Sequence, residues 1–179
     1  AVSVGEVQAA VPLVRALLEK YPAHSLLLTT VTPTGSARVT ALFGEEVAHV
    51  YAPYDLPGAV QRFFQRVRPQ LAIIMETELW PNLFHACRTR QVPLLLVNAR
   101  LSARSVAGYR RVKPLVARTL ANISEIAAQG EADAARFVQL GAPPECITVS
   151  GNLKFEQRIP PSLLERAAVL RRDWGPGRP

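Results

Sequence analysis

The sequence has few of the residues and runs that mark disulfide scaffolds, metal centres and membrane spans. Its 179 residues include only two cysteines, Cys87 and Cys146, which fit neither a disulfide framework nor a Cys-x-x-Cys metal site and are typical of a reducing compartment. The three histidines share no metal-ligand spacing, so no metal site is expected. The uncharged apolar stretches, such as the one that ends at Met75, fall far short of the roughly 20 residues that a bilayer span requires. We therefore expect a globular chain with no membrane span inside it.

Acidic residues are in the minority, 14 against 21 basic ones, and nearly all the cations are arginine. The net charge of +7 favours an anionic partner, either a nucleic acid, a phosphorylated ligand or an anionic membrane surface. A coding bias toward arginine would give the same composition without any partner. A nucleic-acid-binding module is disfavoured, because the basic residues are neither interleaved with aromatic ones nor confined to one stripe. The chain also has no Gly-x-Gly-x-x-Gly fingerprint and no Walker loop, which excludes those two classes of nucleotide site.

Short apolar runs of strand length alternate along the chain with segments of helical period. The runs are rich in Leu, Ile and Val without polar alternation, as in buried parallel strands. The predicted strands are His24–Thr30, Val47–Ala52, Gln70–Met75, Pro93–Val97, Glu125–Gln129 and Ile147–Ser150, with Ala1–Ser3 as the stub of another. The predicted helices are Val7–Tyr21, Ser36–Leu42, Gly58–Val67, Pro81–Arg90, Ala103–Ala121, Glu131–Leu140 and Ser162–Asp173. This alternation predicts an α/β, Rossmann-like fold, in which an open, mostly parallel sheet carries helices on both faces.

Polar residues gather where these strands end. In an open α/β sheet, ligands bind beyond the carboxyl ends of the strands, where loops lead into helices. The polar segments at those points are Ser3–Glu6, Thr29–Ser36, Glu76–Asn82, Asn98–Ser105 and Gly151–Phe155. Because they follow different strands of one predicted sheet, together they predict a single site at its carboxyl edge.

Three acidic residues at this edge are candidates for acid–base chemistry. Glu6 lies at a helix N-terminus, where the dipole keeps a carboxylate ionised and able to accept a proton. The same position is typical of a first-turn acid that only complements the dipole. Glu76 and Glu78 could act as a pair, or one of them would be only a structural partner.

A second group of residues at the same edge suits the binding of an anion. Thr34, Gly35 and Ser36 combine hydroxyls and backbone N–H groups at a helix entry, which is typical of a phosphate cradle and equally of a simple helix cap. Arg100 presents a guanidinium that suits a phosphate, or is a solvated loop charge. We predict that these four residues hold acidic groups of a substrate.

Taken together, the motifs resemble the N-terminal half of the 3-deoxy-D-manno-octulosonic acid (Kdo) transferases of lipopolysaccharide synthesis. The resemblance runs in order from the first residue to about Phe155. The segments that carry it are Val2–Glu6, Thr32–Ser36, Pro53–Pro57, Glu76–Asn82, Asn98–Ser105 and Gly151–Phe155. Glu156 departs from the pattern, because an aspartate is expected there.

The resemblance implies a two-domain glycosyltransferase-B fold that moves Kdo from CMP-Kdo to a lipid A precursor, with inversion and without a metal or other cofactor. It makes Glu6 the general base, and it makes Glu76 and Lys154 residues that position or stabilise the transition state. It places the enzyme at the cytoplasmic face of the bacterial inner membrane. The anionic membrane surface and the phosphorylated acceptor fit the net charge, and no nucleic acid partner is expected.

The same resemblance divides the chain. Residues 1–160 are expected to form the acceptor-binding domain, and residues 161–179 a terminal helix and linker toward a donor-binding domain that this chain lacks. The 179 residues are accordingly expected to fold alone and to transfer no sugar. Two alternatives stay open: a transferase of the same fold that uses a soluble acceptor, and a non-enzymatic module that binds anions or nucleic acid.

Overall fold

The computed structural model describes residues 4–76, 78–156 and 169–172, and over these it is an α/β structure of parallel strands and helices. The strands are β1 (Leu27–Thr30), β2 (Ala48–Tyr51), β3 (Ala72–Met75), β4 (Leu94–Ala99), β5 (Glu125–Ala128) and β6 (Ile147–Val149). The α-helices are α1 (Val4–Lys20), α2 (Pro33–Phe43), α3 (Pro57–Val67), α4 (Pro81–Thr89), α5 (Ala103–Tyr109), α6 (Lys113–Leu120) and α7 (Glu131–Leu140). Turns of 3-10 helix cover Arg110–Val112, Pro144–Cys146 and Leu153–Glu156. The prediction of a six-strand, helix-separated pattern is therefore confirmed.

Hydrogen bonds group the described strands into two parallel ladders. Strands β1 and β2 pair with each other, with Leu27 opposite Ala48, and the second ladder runs in the order β3-β4-β5-β6. Ala72 lies opposite Leu94, and Ile126 opposite Ile147. The sequence analysis expected one sheet. Within the described residues no ladder joins β1 to β3, so the two groups of strands are held together by side-chain packing.

Two apolar cores cover opposite faces of the larger sheet. One packs α3–α7 against alternate strand residues, among them Leu94 and Leu96 of β4. The other packs α1, α2 and the small ladder against Met75 of β3 and Val97 of β4. Successive residues of a strand point to opposite faces, and this is why β4 contributes to both cores. Helices on both faces are thus confirmed.

Two glycines are required by the local geometry. Gly35, in the first turn of α2, is buried, and a Cβ there would lie 3.0 Å from Thr32 Oγ1 and 3.2 Å from Thr30 Cβ. Gly141 ends α7 in a left-handed conformation, with φ of 103°, and its added Cβ would lie 2.8 Å from the Cβ of Ala117 on α6. The first glycine lets α2 approach β1, and the second lets α7 pack on α6.

Three helices differ from the prediction by more than one residue. Helix α1 begins at Val4 rather than Val7, so Glu6 lies inside its first turn. Helix α2 begins at Pro33 rather than Ser36. The single helix predicted over Ala103–Ala121 is broken by the 3-10 turn Arg110–Val112. Pro114, in the first turn of α6, lacks an N–H, so an α-helix that continued through it would lose the bond to the Arg110 carbonyl.

Some predictions fall on residues that the structure does not describe. Ala1–Ser3, predicted as a strand stub, lies outside the described residues. Of the predicted helix Ser162–Asp173, residues 169–172 are described and are helical. The proposed division of the chain near residue 160 therefore stays a prediction.

Candidate active site

Helices α1 and α2, which pack on one face of the larger sheet, have their N-termini at the same end of the molecule. Arg38 of α2 donates to Gln8 of α1, and further along Arg15 of α1 bonds the carboxylate of Glu46 and the carbonyl of Leu42. The pairs advance together along both helices, so α1 and α2 run in the same direction. Glu6 in the first turn of α1 therefore lies at the same end as the entry to α2, where the substrate turn is predicted.

Glu6, Glu76 and Glu78 form a cluster of carboxylates in which the charges of Glu6 and Glu76 act on Glu78. Burial raises the pKa of Glu78 above its ordinary value, and the nearby charges of Glu6 and then Glu76 raise it further. The indole N–H of Trp80 donates to Glu78 Oε2 at 3.2 Å and opposes this rise. The structure thus brings together the three acidic candidates of the sequence, Glu6, Glu76 and Glu78.

The backbone leaves the extended conformation at Glu76. Glu76 has φ of 57°, in the left-handed region that non-glycine residues rarely adopt, and its N–H donates to the carbonyl of Val97 at 2.9 Å. The chain therefore turns at Glu76, at the end of β3. Backbone conformations of this kind concentrate at functional sites.

Asp55 fixes the position of the Glu78–Trp80 segment. Its carboxylate accepts the backbone N–H of Leu83 at 2.8 Å and that of Asn82 at 3.1 Å, and its carbonyl accepts the Asn82 side-chain amide at 2.7 Å. Helix α4 has no side-chain cap of its own, so an aspartate from the loop after β2 supplies it. This bond pattern joins the Pro53–Pro57 and Glu76–Asn82 motifs.

The turn that was predicted to bind an anion is first of all a helix cap. Thr32 is the N-cap of α2, its hydroxyl accepts the N–H of Gly35 at 3.1 Å, and its carbonyl accepts the N–H of Ser36 at 3.0 Å. Those two N–H groups are therefore engaged, and Gly35 is buried. The turn presents hydroxyls instead: Thr34 is exposed, and Ser36 Oγ lies 3.4 Å from His49 Nδ1.

Arg100 lies on a loop whose backbone is fixed by hydrogen bonds at the following residue, Leu101. An ion pair within α7 joins Asp133 and Arg136, and together they bind the next residue: Asp133 accepts the Leu101 N–H at 2.9 Å, and Arg136 donates to the Leu101 carbonyl at 3.0 Å. Arg100 itself is exposed. Among the described residues, no hydrogen bond or ion pair links it to the Thr34–Ser36 turn, so the structure does not bring these predicted binding residues into contact.

Lys154 lies on the 3-10 turn Leu153–Glu156, which packs against α1, the helix of Glu6. Its side chain is exposed, and its backbone N–H donates to Asn152 Oδ1 at 2.9 Å. Leu153 packs into the core formed by α1 and α2. The turn that carries the predicted cation is therefore fixed beside the helix that carries the predicted base.

Sequence reasoning missed four polar residues that hold this edge in place: Asp55, Asn98, Asp133 and Arg136. Each makes its bonds to backbone groups at least 27 residues away along the chain, or across from one element to another. No local pattern marks such residues. Asp55 and Asn98 do lie within the segments that carry the resemblance, and only this could have identified them from the sequence.

Within the described residues, no group of three or more His, Cys, Asp or Glu side chains is arranged to hold a metal ion. None of the described helices is both long and apolar enough to cross a bilayer. Burial raises the pKa of the Cys87 thiol to about 11, so this thiol is kept protonated and unreactive.

Comparison with solved structures places this architecture among known folds. The UDP-GlcNAc 2-epimerase from Neisseria meningitidis, in a structure with bound UDP-GlcNAc, superimposes with a TM-score of 0.60 at 13% sequence identity, over 84% of this chain and 45% of that one. Another UDP-N-acetylglucosamine 2-epimerase gives a TM-score of 0.60 at 15% identity, over 84% of this chain and 44% of its own. At such low identity these matches show the fold alone. It is a Rossmann-like α/β half of glycosyltransferase-B type, as predicted.

Comparison with known sequences is more specific. The 3-deoxy-D-manno-octulosonic acid transferase of Haemophilus influenzae is 47% identical over 179 residues, which is 100% of this chain and 42% of that protein. The enzyme of the same name from Bordetella pertussis is 41% identical over 169 residues, 92% of this chain and 39% of that protein. This chain thus spans less than half the length of these curated relatives. A family model described as 3-deoxy-D-manno-octulosonic-acid transferase (kdotransferase) matches residues 1–157. The chain therefore belongs to the 3-deoxy-D-manno-octulosonic-acid transferase family.

Proposed function

We propose that this chain is the acceptor-binding, base-carrying part of an inverting glycosyltransferase that moves Kdo from CMP-Kdo to a lipid A precursor without a metal ion. The observation that carries the proposal is the cluster of Glu6, Glu76 and Glu78 at one end of α1, beside the turn that carries Lys154. A glycosyl transfer needs a base at the acceptor hydroxyl and a positive group toward the departing phosphate. This end of the molecule offers both.

In this proposal Glu6 takes the proton from the acceptor hydroxyl as that oxygen attacks the sugar. Its place in the first turn of α1 suits a base, since it puts the carboxylate at the same end as the entry to α2. Glu76, fixed by its bond to Val97, lines the same space and positions the reacting groups. Lys154 contributes positive charge toward the phosphate that leaves with the nucleotide.

Anionic groups of the acceptor are proposed to bind at the hydroxyls of Thr34 and Ser36 and at the guanidinium of Arg100. Thr34 and Arg100 are exposed and able to turn toward a ligand, whereas Gly35 contributes the close approach of α2 to β1. Because two backbone N–H groups of the turn are engaged by Thr32, we expect hydroxyl and guanidinium donors to make these contacts.

The donor is proposed to bind mainly to a second domain, joined through residues 161–179. Support comes from the relatives, of which this chain spans 42% and 39%. The isolated chain is therefore expected to fold and to transfer no sugar. The complete enzyme is proposed to act at the cytoplasmic face of the inner membrane, where its lipid substrate and an anionic surface meet the basic residues of this chain.

The decisive experiment is Glu6→Gln in the full-length enzyme, assayed with CMP-Kdo and a lipid A precursor. We expect turnover to fall by roughly 10²–10⁴-fold with little change in acceptor binding, because the side chain keeps its size and loses its basicity. Glu19→Gln, an equal change at an exposed position near the end of the same helix, is the matched control and should be active. Normal turnover of the Glu6 variant would remove it from the mechanism. Transfer to soluble acceptors only would favour the alternative transferase.

A further inference from the structure

Asn98 is a fully buried polar residue at the end of β4, and its surroundings are unusual. Its exposure is 0%, and its φ of 53° places it in the left-handed region. Its carbonyl accepts the side-chain amide of Gln129 at 3.1 Å, and its Oδ1 accepts the backbone N–H of Leu153 at 3.1 Å. Its side-chain nitrogen Nδ2 is buried without a hydrogen-bond partner in the structure.

Two of these features are unfavourable. A buried amide nitrogen without a partner destabilises the fold, and so does a left-handed non-glycine backbone, although asparagine tolerates that conformation better than most residues. An apolar side chain of similar size would avoid the unpaired donor. Stability alone therefore does not account for an asparagine at this position, and the bond from Leu153 to Oδ1 is what distinguishes it from an apolar residue.

The bond from the Leu153 N–H to Asn98 Oδ1 connects the end of β4 with the turn that follows β6. Both places lie next to proposed catalytic groups. Leu153 immediately precedes Lys154, and the two residues of the bond lie 55 positions apart in the chain. On the other side, Asn98 directly follows Val97, whose carbonyl holds the N–H of Glu76 at 2.9 Å. One short stretch of β4 therefore holds both the residue beside Lys154 and the backbone of Glu76.

We propose that Asn98 is a positioning residue that sets the place of Lys154 relative to Glu76 through its bond to the Leu153 N–H. It acts through its acceptor oxygen and touches no substrate. The remaining backbone hydrogen bonds of the turn are local, since Asn152 binds the N–H groups of Lys154 and Phe155. Asn98 is thus what ties the polar backbone of this turn to the sheet. The inference rests on the function proposed above for Lys154.

The test uses two variants of the full-length enzyme. Asn98→Gly removes the acceptor, yet glycine adopts a positive φ without strain, so the loss is confined to the side chain. Asn98→Asp keeps an oxygen acceptor and tolerates the same backbone. We expect Asn98→Gly to lower kcat by about 10–100-fold, as for small misplacements of a catalytic group, with KM nearly unchanged, and Asn98→Asp to restore most of it. Hydrogen exchange at the Leu153 amide should be faster in the glycine variant only.

A double-mutant cycle separates positioning from a general structural role. In a Lys154→Ala background, Asn98→Gly should lower kcat no further, because the group that it positions is absent. Thr119→Val, a change at another buried polar residue, 3% exposed and bonded to the Leu115 carbonyl, is the control for loss of stability and should lower kcat in neither background.

Four outcomes would overturn the inference or its premise, and they can be told apart. An equal loss of kcat in the parent enzyme and in the Lys154→Ala background would show that Asn98 acts through the fold in general. Unchanged Leu153 exchange in the glycine variant would show that the bond is not made in solution. Normal turnover of Lys154→Ala by itself would instead contradict the proposed function. If the glycine variant failed to fold while Asn98→Asp was active, the role of Asn98 would be structural.

Discussion

Glu78 is a carboxylate whose ionisation is opposed by both burial and nearby negative charge. It is partly buried, it lies near the charges of Glu6 and Glu76, and one indole N–H is the hydrogen bond that favours its charged form. The folded chain therefore holds the proton of Glu78 more tightly than the unfolded chain does. This cost to stability is consistent with a residue retained for the chemistry of the site.

We expect Glu78→Gln to stabilise the chain at neutral pH. Between the ordinary pKa of 4.5 and the raised value, the folded state binds more protons than the unfolded state, so stability falls as the pH rises through that window. Glutamine can still accept the Trp80 N–H and does not ionise. The variant should therefore have the higher Tm at pH 7, and its advantage should disappear below pH 4.5.

Thermal unfolding followed by circular dichroism across pH 4 to 8 would measure this difference. Because Glu6 is the larger of the two charge effects on Glu78, Glu6→Gln should by itself reduce the gain from Glu78→Gln. Glu19→Gln is the control for the chemical change at an exposed site. A gain in Tm that did not vary with pH would contradict the assignment of the effect to ionisation.

Single residues also show where sequence reasoning stops. Glu6, Glu76 and Lys154 were selected because they follow strands and belong to a resembling motif. Glu6 lies in the first turn of α1, and the turn that carries Lys154 packs against the same helix. Asn98 was not selected, because its role depends on a bond to Leu153 across 55 positions, which no local pattern records. Nor could the sequence show that the N–H groups of Gly35 and Ser36 are already hydrogen-bonded, because a phosphate cradle and a helix cap have the same residues.

Among the elements, α4 shows how one part of the chain depends on another. Its N-terminus carries no cap of its own, and Asp55 supplies two carboxylate bonds to the first turn from the loop after β2. The helix start in turn fixes Trp80, whose indole binds Glu78. A loop more than twenty residues upstream therefore supports the carboxylate cluster.

Asp55→Ala should lower the free energy of unfolding by about 0.5–2 kcal/mol, the usual effect of losing an N-cap, and toward the upper end because two backbone N–H groups lose their acceptor. Urea unfolding of this chain would measure it. Ser102→Ala removes a single cap bond, to the Ser105 N–H of α5, and serves as the matched control with a smaller loss. An Asp55 variant as stable as the parent would show that the cap is not needed.

Element positions were predicted well where the signal is local. All six strands fall within their predicted ranges or extend them by two residues, because each predicted run is short and rich in apolar residues. The break at Arg110–Val112 was missed although Pro114 was visible, since periodicity was given more weight than the missing N–H. The separation into two ladders was beyond sequence reasoning, because strand pairing is set by contacts between distant segments.

On the scale of the whole molecule, the net charge of +7 is concentrated in one part of the chain. Eight basic residues and no acidic ones lie between Glu78 and Glu125. Part of this stretch is the α5–α6 surface, which we define as Arg110, Arg111, Val112, Lys113 and Leu115. All five are exposed, and the two apolar ones expose 48% and 53% of their surface. Exposed cations beside exposed aliphatic groups suit the interface of an anionic bilayer.

We expect this chain to bind vesicles that contain anionic phospholipid and not vesicles of zwitterionic lipid alone, with binding weakened by salt. Each arginine near an anionic surface contributes about 1 kcal/mol, so the double variant Arg110→Glu, Arg111→Glu should weaken binding by at least about tenfold. Sedimentation with the vesicles would measure it.

Arg62→Glu, Arg66→Glu, an equal change of charge on the exposed side of α3, is the matched control and should bind almost normally. Equal losses in both variants would show that net charge alone is responsible, because binding through a defined surface depends on where the charges lie. Tighter binding to duplex DNA than to the anionic vesicles would instead favour a nucleic-acid partner.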